Sequence, residues 1–418
     1  MNELKINELL NKVNYKVLDN GFKIIYYANT EYKKFYVNYT INYGAVDYTY
    51  QKNNKTVQHN PGIAHFLEHI MFNMPYGDAF EKFSDLLASP NAYTSHTKTS
   101  YLFSSSQNIE ENLQILLEMV NTFYLTEAKL QKEKGIILEE IGMYDKNPDW
   151  QIYKQSLKNS IKTSKYKEDI LGSETDVKDM TFQMLKEAYT DFYQPKNQFL
   201  VIVGPQVENL VQIVEDYMTL KTNIPNYDIN KIVQTETMNV LENQTNNYFM
   251  EVSQNYLAIT YKELQKVDYT IKDKIYLEIL LELLFTNFND KYILYEEQQA
   301  LDYSFMYDFI MYKNLKLLLF YITNKDLQKF SYVLDDILTS GPNIKLEQTI
   351  KNKYLGKFIK SFNNEKVFAE QLSNFEENQI NIQEYYQILK NFQIKTLNTQ
   401  LNQKILLKIK TIISNKML

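Results

Sequence analysis

The order of strand-like and helical segments is the feature that most limits how this chain can fold. Aromatic and β-branched runs with period-2 patterning mix with amphipathic helical patterns, without the regular strand–helix–strand repeat of a doubly wound sheet. The first half has predicted strands at 22–27, 35–46, 91–97, 100–106 and 199–204 and predicted helices at 63–72, 78–88, 108–123, 126–145, 149–161 and 182–193. This order predicts an α+β fold.

A chain of 418 residues is too long for one ordinary hydrophobic core, which predicts two domains. The second half has a strand at 256–261, a long helix at 268–287 and further strands within 302–323, which suggests a degenerate duplication of the first. The polar segment 222–231 contains a proline and is the best linker candidate. We therefore predict domains at 1–221 and 232–418.

Composition excludes several classes of protein. Cysteine is absent, so disulfides, thiol catalysis and cysteine-bound metals are ruled out. With 45 basic and 51 acidic residues the net charge is −6, which argues against a nucleic-acid binder. The densest apolar runs, 277–285 and 315–322, are shorter than the about 18–20 residues of a membrane helix. We expect a soluble cytoplasmic protein.

Arginine is missing from the whole chain, because every one of the 45 basic residues is lysine. Lysine is a point charge on a flexible stem. The planar guanidinium of arginine can hold a carboxylate or an oxyanion at two points, and lysine cannot. Any step that needs such a group must obtain it from another chain.

Residues 65–69 read His-Phe-Leu-Glu-His, the most specific motif in the sequence. On a helix, His65, Glu68 and His69 project from one face because they are three and four positions apart. Two imidazoles suit Zn²⁺, and a neighbouring carboxylate can act as general base; the H-x-x-E-H order is the inverzincin signature. The alternative is a helix with two unrelated histidines, and it is weak because the chain has only four.

A catalytic zinc with two histidines needs a third protein ligand, and the helical segment 133–145 offers three glutamates. Glu133 and Glu140 share a helical face, whereas Glu139 points about 100° away from Glu140. Taken alone, each of these glutamates is an ordinary solvated acid.

The chain resembles the pitrilysin or insulinase family of zinc metallopeptidases, which includes the mitochondrial processing peptidase. The resemblance covers the first half and, weakly, the second; it is carried by residues 62–72, 91–103, 133–150 and 171–204. It implies two homologous domains, each a mainly antiparallel sheet flanked by helices, which together form half of a clam-shell chamber. The resemblance is greatest to the zinc-bearing subunits of low-GC Gram-positive bacteria and their relatives. Those subunits act beside a metal-free subunit of the same fold.

The resemblance gives roles to five residues. It implies that His65 and His69 bind zinc and that Glu68 is the general base. Glu140 matches the third zinc ligand, because the family has a paired glutamate seven positions before it and Glu133 fills that place. Glu133 is then an auxiliary catalytic carboxylate that orients the ligands.

Asn91, Ala92 and Thr94 match the edge strand along which the family binds an extended peptide. Such binding uses main-chain hydrogen bonds for affinity and side-chain pockets for selectivity. The alternative is an ordinary polar strand end. We interpret His96, on the same segment, as structural and His59 as a loop residue without a ligand role.

The sequence departs from the family at one catalytic pair. Active members have an arginine and, seven residues later, a tyrosine, which together support the developing oxyanion. In the matching segment 295–305, Tyr303 falls at the tyrosine position and Glu296 where the arginine belongs. We therefore expect a homologous metal-free partner in a heterodimer to supply the pair. A homodimer that uses lysine is a weaker possibility.

The sequence thus predicts a zinc-dependent endopeptidase for short or unfolded peptides. The alternative is a non-catalytic scaffold or assembly subunit of the same fold. Retention of His65, Glu68, His69 and Glu140 argues against that alternative.

Overall fold

The computed structural model describes residues 9–221, 228–237, 244–265, 267–395 and 407–414. Most of the predicted linker, 222–227, lies outside the described residues, and Ile229–Lys231 at its end forms a strand. Contacts divide the chain into two compact units. Unit 1 comprises Met1–Ile141, Glu168–Ile232 and Gly356–Tyr385, and unit 2 comprises Gly142–Lys167, Val233–Leu355 and Tyr386–Leu418.

The described strands fall into four sheets. In chain order they are β1 (Asn14–Val17), β2 (Lys23–Ala28), β3 (Phe35–Ile41), β4 (Thr49–Lys52), β5 (Lys55–Gln58), β6 (Asn73–Met74), β7 (Gly77–Asp78), β8 (Ala88–Thr94), β9 (Thr99–Ser105), β10 (Gln198–Gly204), β11 (Ile229–Lys231), β12 (Thr245–Phe249), β13 (Tyr256–Leu264), β14 (Met306–Tyr312), β15 (Leu315–Thr323) and β16 (Leu407–Ser414).

Helices connect and cover these strands. The described α-helices are α1 (Ile63–Met71), α2 (Ala79–Asp85), α3 (Ile109–Val120), α4 (Glu127–Asp145), α5 (Pro148–Ser160), α6 (Glu174–Asp179), α7 (Phe182–Phe192), α8 (Leu210–Thr219), α9 (Ile271–Leu284), α10 (Asp290–Glu297), α11 (Leu327–Ser340), α12 (Glu347–Ser361), α13 (Glu365–Glu377) and α14 (Ile382–Lys390).

Unit 1 is built on a six-stranded sheet in the order β1-β2-β10-β3-β9-β8. Strands β2 and β10 are parallel and the other neighbours are antiparallel. Every residue of β3 and β10 is buried, because these central strands are covered on both faces. Strand β8 lies at the edge and alternates between half-buried and exposed residues. Among the described residues, no other strand pairs with its outer edge.

Unit 2 contains a five-stranded sheet in the order β12-β16-β13-β15-β14. Only the β12–β16 pair is parallel. One face of this sheet contributes Ala258, Leu317, Leu319 and Tyr321 to a buried cluster that also contains Ile152, Leu157 and Ile161 from the region of α5. The predicted α+β fold, with two mainly antiparallel sheets flanked by helices, is confirmed.

Two predicted strands of unit 1 differ from the observed ones by three residues or more at one or both ends. The strand predicted at 35–46 ends at Ile41, because a 3-10 helix, Ala45–Asp47, follows it. A Cβ at Gly44 would lie 2.5 Å from backbone atoms of Thr97 and Lys98, so only glycine allows this close approach. The strand predicted at 91–97 begins at Ala88 and ends at Thr94. It includes a proline, which an edge strand tolerates.

No described helix combines the length and the apolar character that a membrane span would require.

Candidate metal centre

Helix α1 contains the histidine motif, and its N-terminal end packs closely against the backbone of Leu171. Gly62, which precedes the helix, has a φ of 84°, and a Cβ there would lie 2.3 Å from the carbonyl oxygen of Leu171. A side chain at this position would therefore push the helix away from the segment that contains Leu171. Most of the helix is apolar and buried, and His65 is buried with it, whereas Glu68 and His69 are half-buried on the motif face.

The two imidazoles lie next to each other, with ring centroids 4.6 Å apart. Helix α4 brings Glu140 to both of them. Its Oε2 atom is 3.7 Å from Nε2 of His65 and 3.4 Å from Nε2 of His69. Residue chemistry alone did not decide whether Glu139 or Glu140 is the third metal ligand. In the structure Glu139 is exposed and Glu140 is half-buried beside the histidines.

These three residues form a group that could hold a metal ion, with one ligand atom from each and all of these atoms within 4.8 Å of one another. No other such group is found in the part of the chain that the structure describes. Ligands about 2.0–2.1 Å from a tetrahedral zinc are separated by about 3.3–3.4 Å from each other. The two nitrogen-to-oxygen distances are close to that value, and a two-histidine, one-carboxylate set leaves one position open. The residues present therefore fit a catalytic metal.

Glu133 supports the centre from a position seven residues, or about two helical turns, before Glu140 on α4. Its buried carboxylate has Oε2 3.5 Å from Nδ1 of His69, whereas Nε2 of the same ring faces Glu140. Its other oxygen accepts a hydrogen bond from Nδ2 of Asn73 at 3.4 Å. A carboxylate in this place fixes the tautomer and orientation of a ligating imidazole. Sequence reasoning missed Asn73, because its contact with Glu133 spans 60 positions.

The two histidines have opposite electrostatic environments. Burial, together with the charge of His69, lowers the pKa of His65 to about 4. Burial also disfavours the charged form of His69, but hydrogen bonds to Glu133 and Glu140 raise its pKa to about 9. The hydrogen bond from His69 lowers the pKa of Glu140. Without a metal, His69 is therefore the cationic member of the group at neutral pH, and His65 is neutral.

Glu68 lies outside the ligating set and contacts the edge strand. Thr94 Oγ1 donates a hydrogen bond to its Oε2 atom at 2.6 Å. Thr99, the cross-strand partner of Thr94, donates its own hydroxyl proton to the carbonyl oxygen of Tyr43 at 2.9 Å. Burial raises the pKa of Glu68, which moves it toward the range of a general base. The structure therefore joins a predicted substrate-binding residue to the predicted base.

The other residues predicted for substrate binding also lie on β8. Asn91 is exposed and Ala92 is half-buried, and the Oδ1 atom of Asn91 accepts a hydrogen bond from the backbone N–H of Ala92 at 2.9 Å. Their roles stay predictions. They lie on the edge strand that ends at Thr94, so an extended peptide paired there would approach Glu68.

The remaining histidines are buried away from the metal-binding group. His59 lies between β5 and α1, with Nε2 3.2 Å from the hydroxyl of Tyr50, which in turn donates to Asp191. This buried polar network was not visible in the sequence. His96 lies in the turn after β8, and its carbonyl oxygen accepts a hydrogen bond from Val46 N–H at 3.0 Å.

The segment expected to match the family's arginine–tyrosine pair lies in unit 2. Glu296 is an exposed residue of helix α10. Tyr303 follows that helix, and its side chain is fully exposed. The proposed correspondence of these two positions stays a prediction.

Comparison with known proteins agrees with this geometry. Residues 55–175 match the family described as insulinase (peptidase family M16), and residues 179–338 match the peptidase M16 inactive domain. The chain belongs to peptidase family M16. A Bacillus subtilis protein described as an uncharacterized zinc protease, YmfH, is 31% identical over 386 residues, which is 89% of each chain.

Two solved structures share the fold of this chain. An M16-like peptidase from Alicyclobacillus acidocaldarius has a TM-score of 0.86 at 21% identity, over 96% of this chain and 97% of that one. The periplasmic protease PqqL from Escherichia coli has a TM-score of 0.76 at 19% identity, over 97% of this chain and 48% of that one.

Proposed function

We propose that this M16 chain is a zinc-dependent endopeptidase that cleaves short or unfolded peptides. The observation that carries the proposal is the convergence of His65, His69 and Glu140, with Glu68 on the same face of helix α1. A zinc ion held by those three residues supplies a Lewis acid that increases the acidity of water and polarises a carbonyl group.

The chain's own residues then carry the proton. Glu68 accepts a proton from water as the water attacks the peptide carbonyl, and returns it to the leaving amine nitrogen. The hydrogen bond from Thr94 keeps the Glu68 carboxylate in one orientation during both transfers. Glu133 holds His69 through its Nδ1 atom, so that Nε2 faces the ligand position.

The peptide is bound as an added strand on β8, along residues 91–95. An extended backbone can pair with this edge, whereas a folded domain cannot, which limits substrates to short or unfolded chains. The closed chamber implied by the resemblance would add a further limit on substrate size.

A homologous partner subunit is part of the same proposal. No arginine occurs in the sequence, so a homologous metal-free subunit supplies the arginine and tyrosine that stabilise the oxyanion. In a homodimer, a lysine would have to replace that arginine, and we expect much lower activity. A cytoplasmic location and the division into domains 1–221 and 232–418 are proposed with it. The Escherichia coli relative named above is described as periplasmic, so location needs its own test.

The direct test is a peptidase assay of the zinc-loaded chain, alone and mixed with a homologous M16 chain that lacks H-x-x-E-H and has the arginine–tyrosine pair. We expect activity mainly in the mixture, and a loss of at least about a hundredfold in Glu68→Gln with zinc content unchanged. Full activity of the isolated chain would contradict the partner, and an active Glu68→Gln variant would contradict the base.

The competing proposal is a scaffold or assembly subunit of the same fold. It predicts no stoichiometric zinc and no hydrolysis in any mixture. The paired distances from Glu140 to the two imidazoles favour the enzyme, because a scaffold gains nothing from that arrangement.

A further inference from the structure

A cavity of about 240 Å³ lies entirely within unit 2. It is lined by residues from helix α5, strands β13, β14 and β15, and the segment that precedes β14. Four tyrosines and two aspartates provide its chemistry: Tyr153, Tyr256, Tyr307, Tyr321, Asp149 and Asp308. No lysine or histidine is among the lining residues.

Asp308 is a carboxylate on the apolar face of a sheet. It is directly opposite Leu319 in the β14–β15 pair, and Leu319 belongs to the buried cluster of unit 2. Its Oδ1 atom accepts one hydrogen bond, from the N–H of Phe309 at 2.7 Å. Asp308 is solvent-accessible, but loss of part of its hydration raises the pKa of its carboxyl. A cationic ligand would restore favourable charge pairing.

Tyr321 gives an independent indication of a ligand. The residue is only 9% exposed, and its buried hydroxyl oxygen has no hydrogen-bond partner among the described residues. A buried polar group without a partner costs free energy, which a ligand that donates a hydrogen bond would recover. Tyr321 pairs with Met306 in the same strand pair as Asp308, so both residues line one region of the cavity.

These features select one ligand chemistry. Tyrosine rings attract a cation within about 6 Å, a carboxylate neutralises its charge, and apolar walls accommodate an alkyl stem. Anionic ligands are disfavoured by the two aspartates. We propose that this cavity binds an alkylammonium group, presented either by a lysine side chain of a peptide or by a free amine.

A simpler explanation covers only part of the observations. An inward-pointing charge on an edge strand discourages pairing with other chains, and β14 is an edge strand. That role would explain Asp308 without a ligand. It does not explain the buried hydroxyl of Tyr321 or a lining of four tyrosines.

The test is calorimetric titration of the intact chain with Nα-acetyl-lysine amide, with n-butylamine, and with Nα-acetyl-norleucine amide, which keeps the stem and lacks the ammonium. We expect the first two to bind and the norleucine compound not to bind at up to about 10 mM. Tighter binding of the lysine compound would identify a peptide as the source, and equal or tighter binding of n-butylamine a free amine. The proposal would be overturned if neither the lysine compound nor n-butylamine binds, or if the norleucine compound binds as tightly as the lysine compound.

Two variants locate the site. Asp308→Asn should weaken binding of the lysine compound by about tenfold or more, and Tyr321→Phe by a smaller factor. Glu251→Gln, which removes an exposed acid outside the cavity lining, is the matched control and should bind normally. An unchanged midpoint of urea unfolding would show that each variant is folded. Normal binding by Asp308→Asn would refute the site whatever the peptidase activity.

Discussion

Helix α1 of unit 1 and helix α9 of unit 2 have comparable places in the order of elements and very different side chains. Each is the first described α-helix after a central strand of its main sheet, β3 or β13, although β4 and β5 lie between β3 and α1. Helix α1 buries six apolar residues and presents His65, Glu68 and His69. Helix α9 has buried leucine and isoleucine around most of its circumference.

The single buried acid of α9 shows the difference most directly. Glu282 accepts a hydrogen bond from the hydroxyl of Tyr354 at 2.7 Å, whereas the acids near α1 face imidazoles. A sheet covered by helices therefore does not require the metal-binding residues. Those residues occupy one helix face in unit 1, and the corresponding helix of unit 2 serves the core. Four predictions test this division, from the largest expected effect to the smallest.

Shortening a core residue of α9 should affect stability and leave the metal centre intact. Leu280 is 1% exposed, so Leu280→Ala removes buried methyl groups and leaves a cavity. We expect the free energy of unfolding to fall by about 2–5 kcal/mol, measured by urea denaturation, with zinc affinity unchanged. Leu294→Ala, at an exposed position of α10, is the control. Loss of zinc from the folded Leu280→Ala variant would contradict the claim that α9 serves only the core of unit 2.

Neutralising Glu133 should affect the metal and leave stability nearly unchanged. Glu133→Gln weakens the contact that orients His69, so we expect zinc affinity to fall by about 10–100-fold in competition with a chelator. Glu139→Gln, an exposed change on the same helix, should have no effect. Equal affinities of the two variants would show that Glu133 does not act through His69.

Zinc affinity should depend on pH through His69. Its pKa of about 9 means that the metal-free protein carries a proton there at neutral pH, and zinc must displace it. Affinity should therefore fall by about tenfold for each unit that the pH drops below about 9. His65, with a pKa of about 4, adds no further dependence near neutral pH. Chelator competition at several pH values measures the slope, and a flat profile would contradict the assignment.

The smallest effect is expected at Thr94. Thr94→Val removes the hydrogen bond to Glu68 and nearly preserves side-chain volume. We expect kcat to fall by about fivefold, with KM and zinc content unchanged, and Thr94→Ser to keep most of the activity. A change confined to KM would instead assign Thr94 to peptide binding.

Local spacing made part of this structure predictable from the sequence. The helical period places His65, Glu68 and His69 on one face, and the predicted helix at 63–72 is observed at Ile63–Met71. Period-2 runs likewise located the four inner strands of the unit 1 sheet and its edge strand β8, but they missed short strands such as β4 and β5. Residue chemistry alone could not separate Glu139 from Glu140, and the resemblance to a known family supplied that choice.

Contacts between distant segments could not be predicted. Strand β10 inserts between β2 and β3, and Asn38 of β3 donates a hydrogen bond to Ser373 of α13 at 3.0 Å, 335 positions away. The contact of Thr94 with Glu68 likewise depends on how β8 pairs with β9. Such contacts depend on tertiary packing, which the pattern of a single segment does not specify.

Metal analysis of the purified protein tests the central claim most directly. After zinc loading and removal of free metal, the unmodified chain should contain one zinc ion per molecule. His69→Ala and Glu140→Ala should contain little, while Leu280→Ala, if folded, should contain the full amount. Absence of zinc from the unmodified chain, or its retention by both ligand variants, would contradict the metal centre.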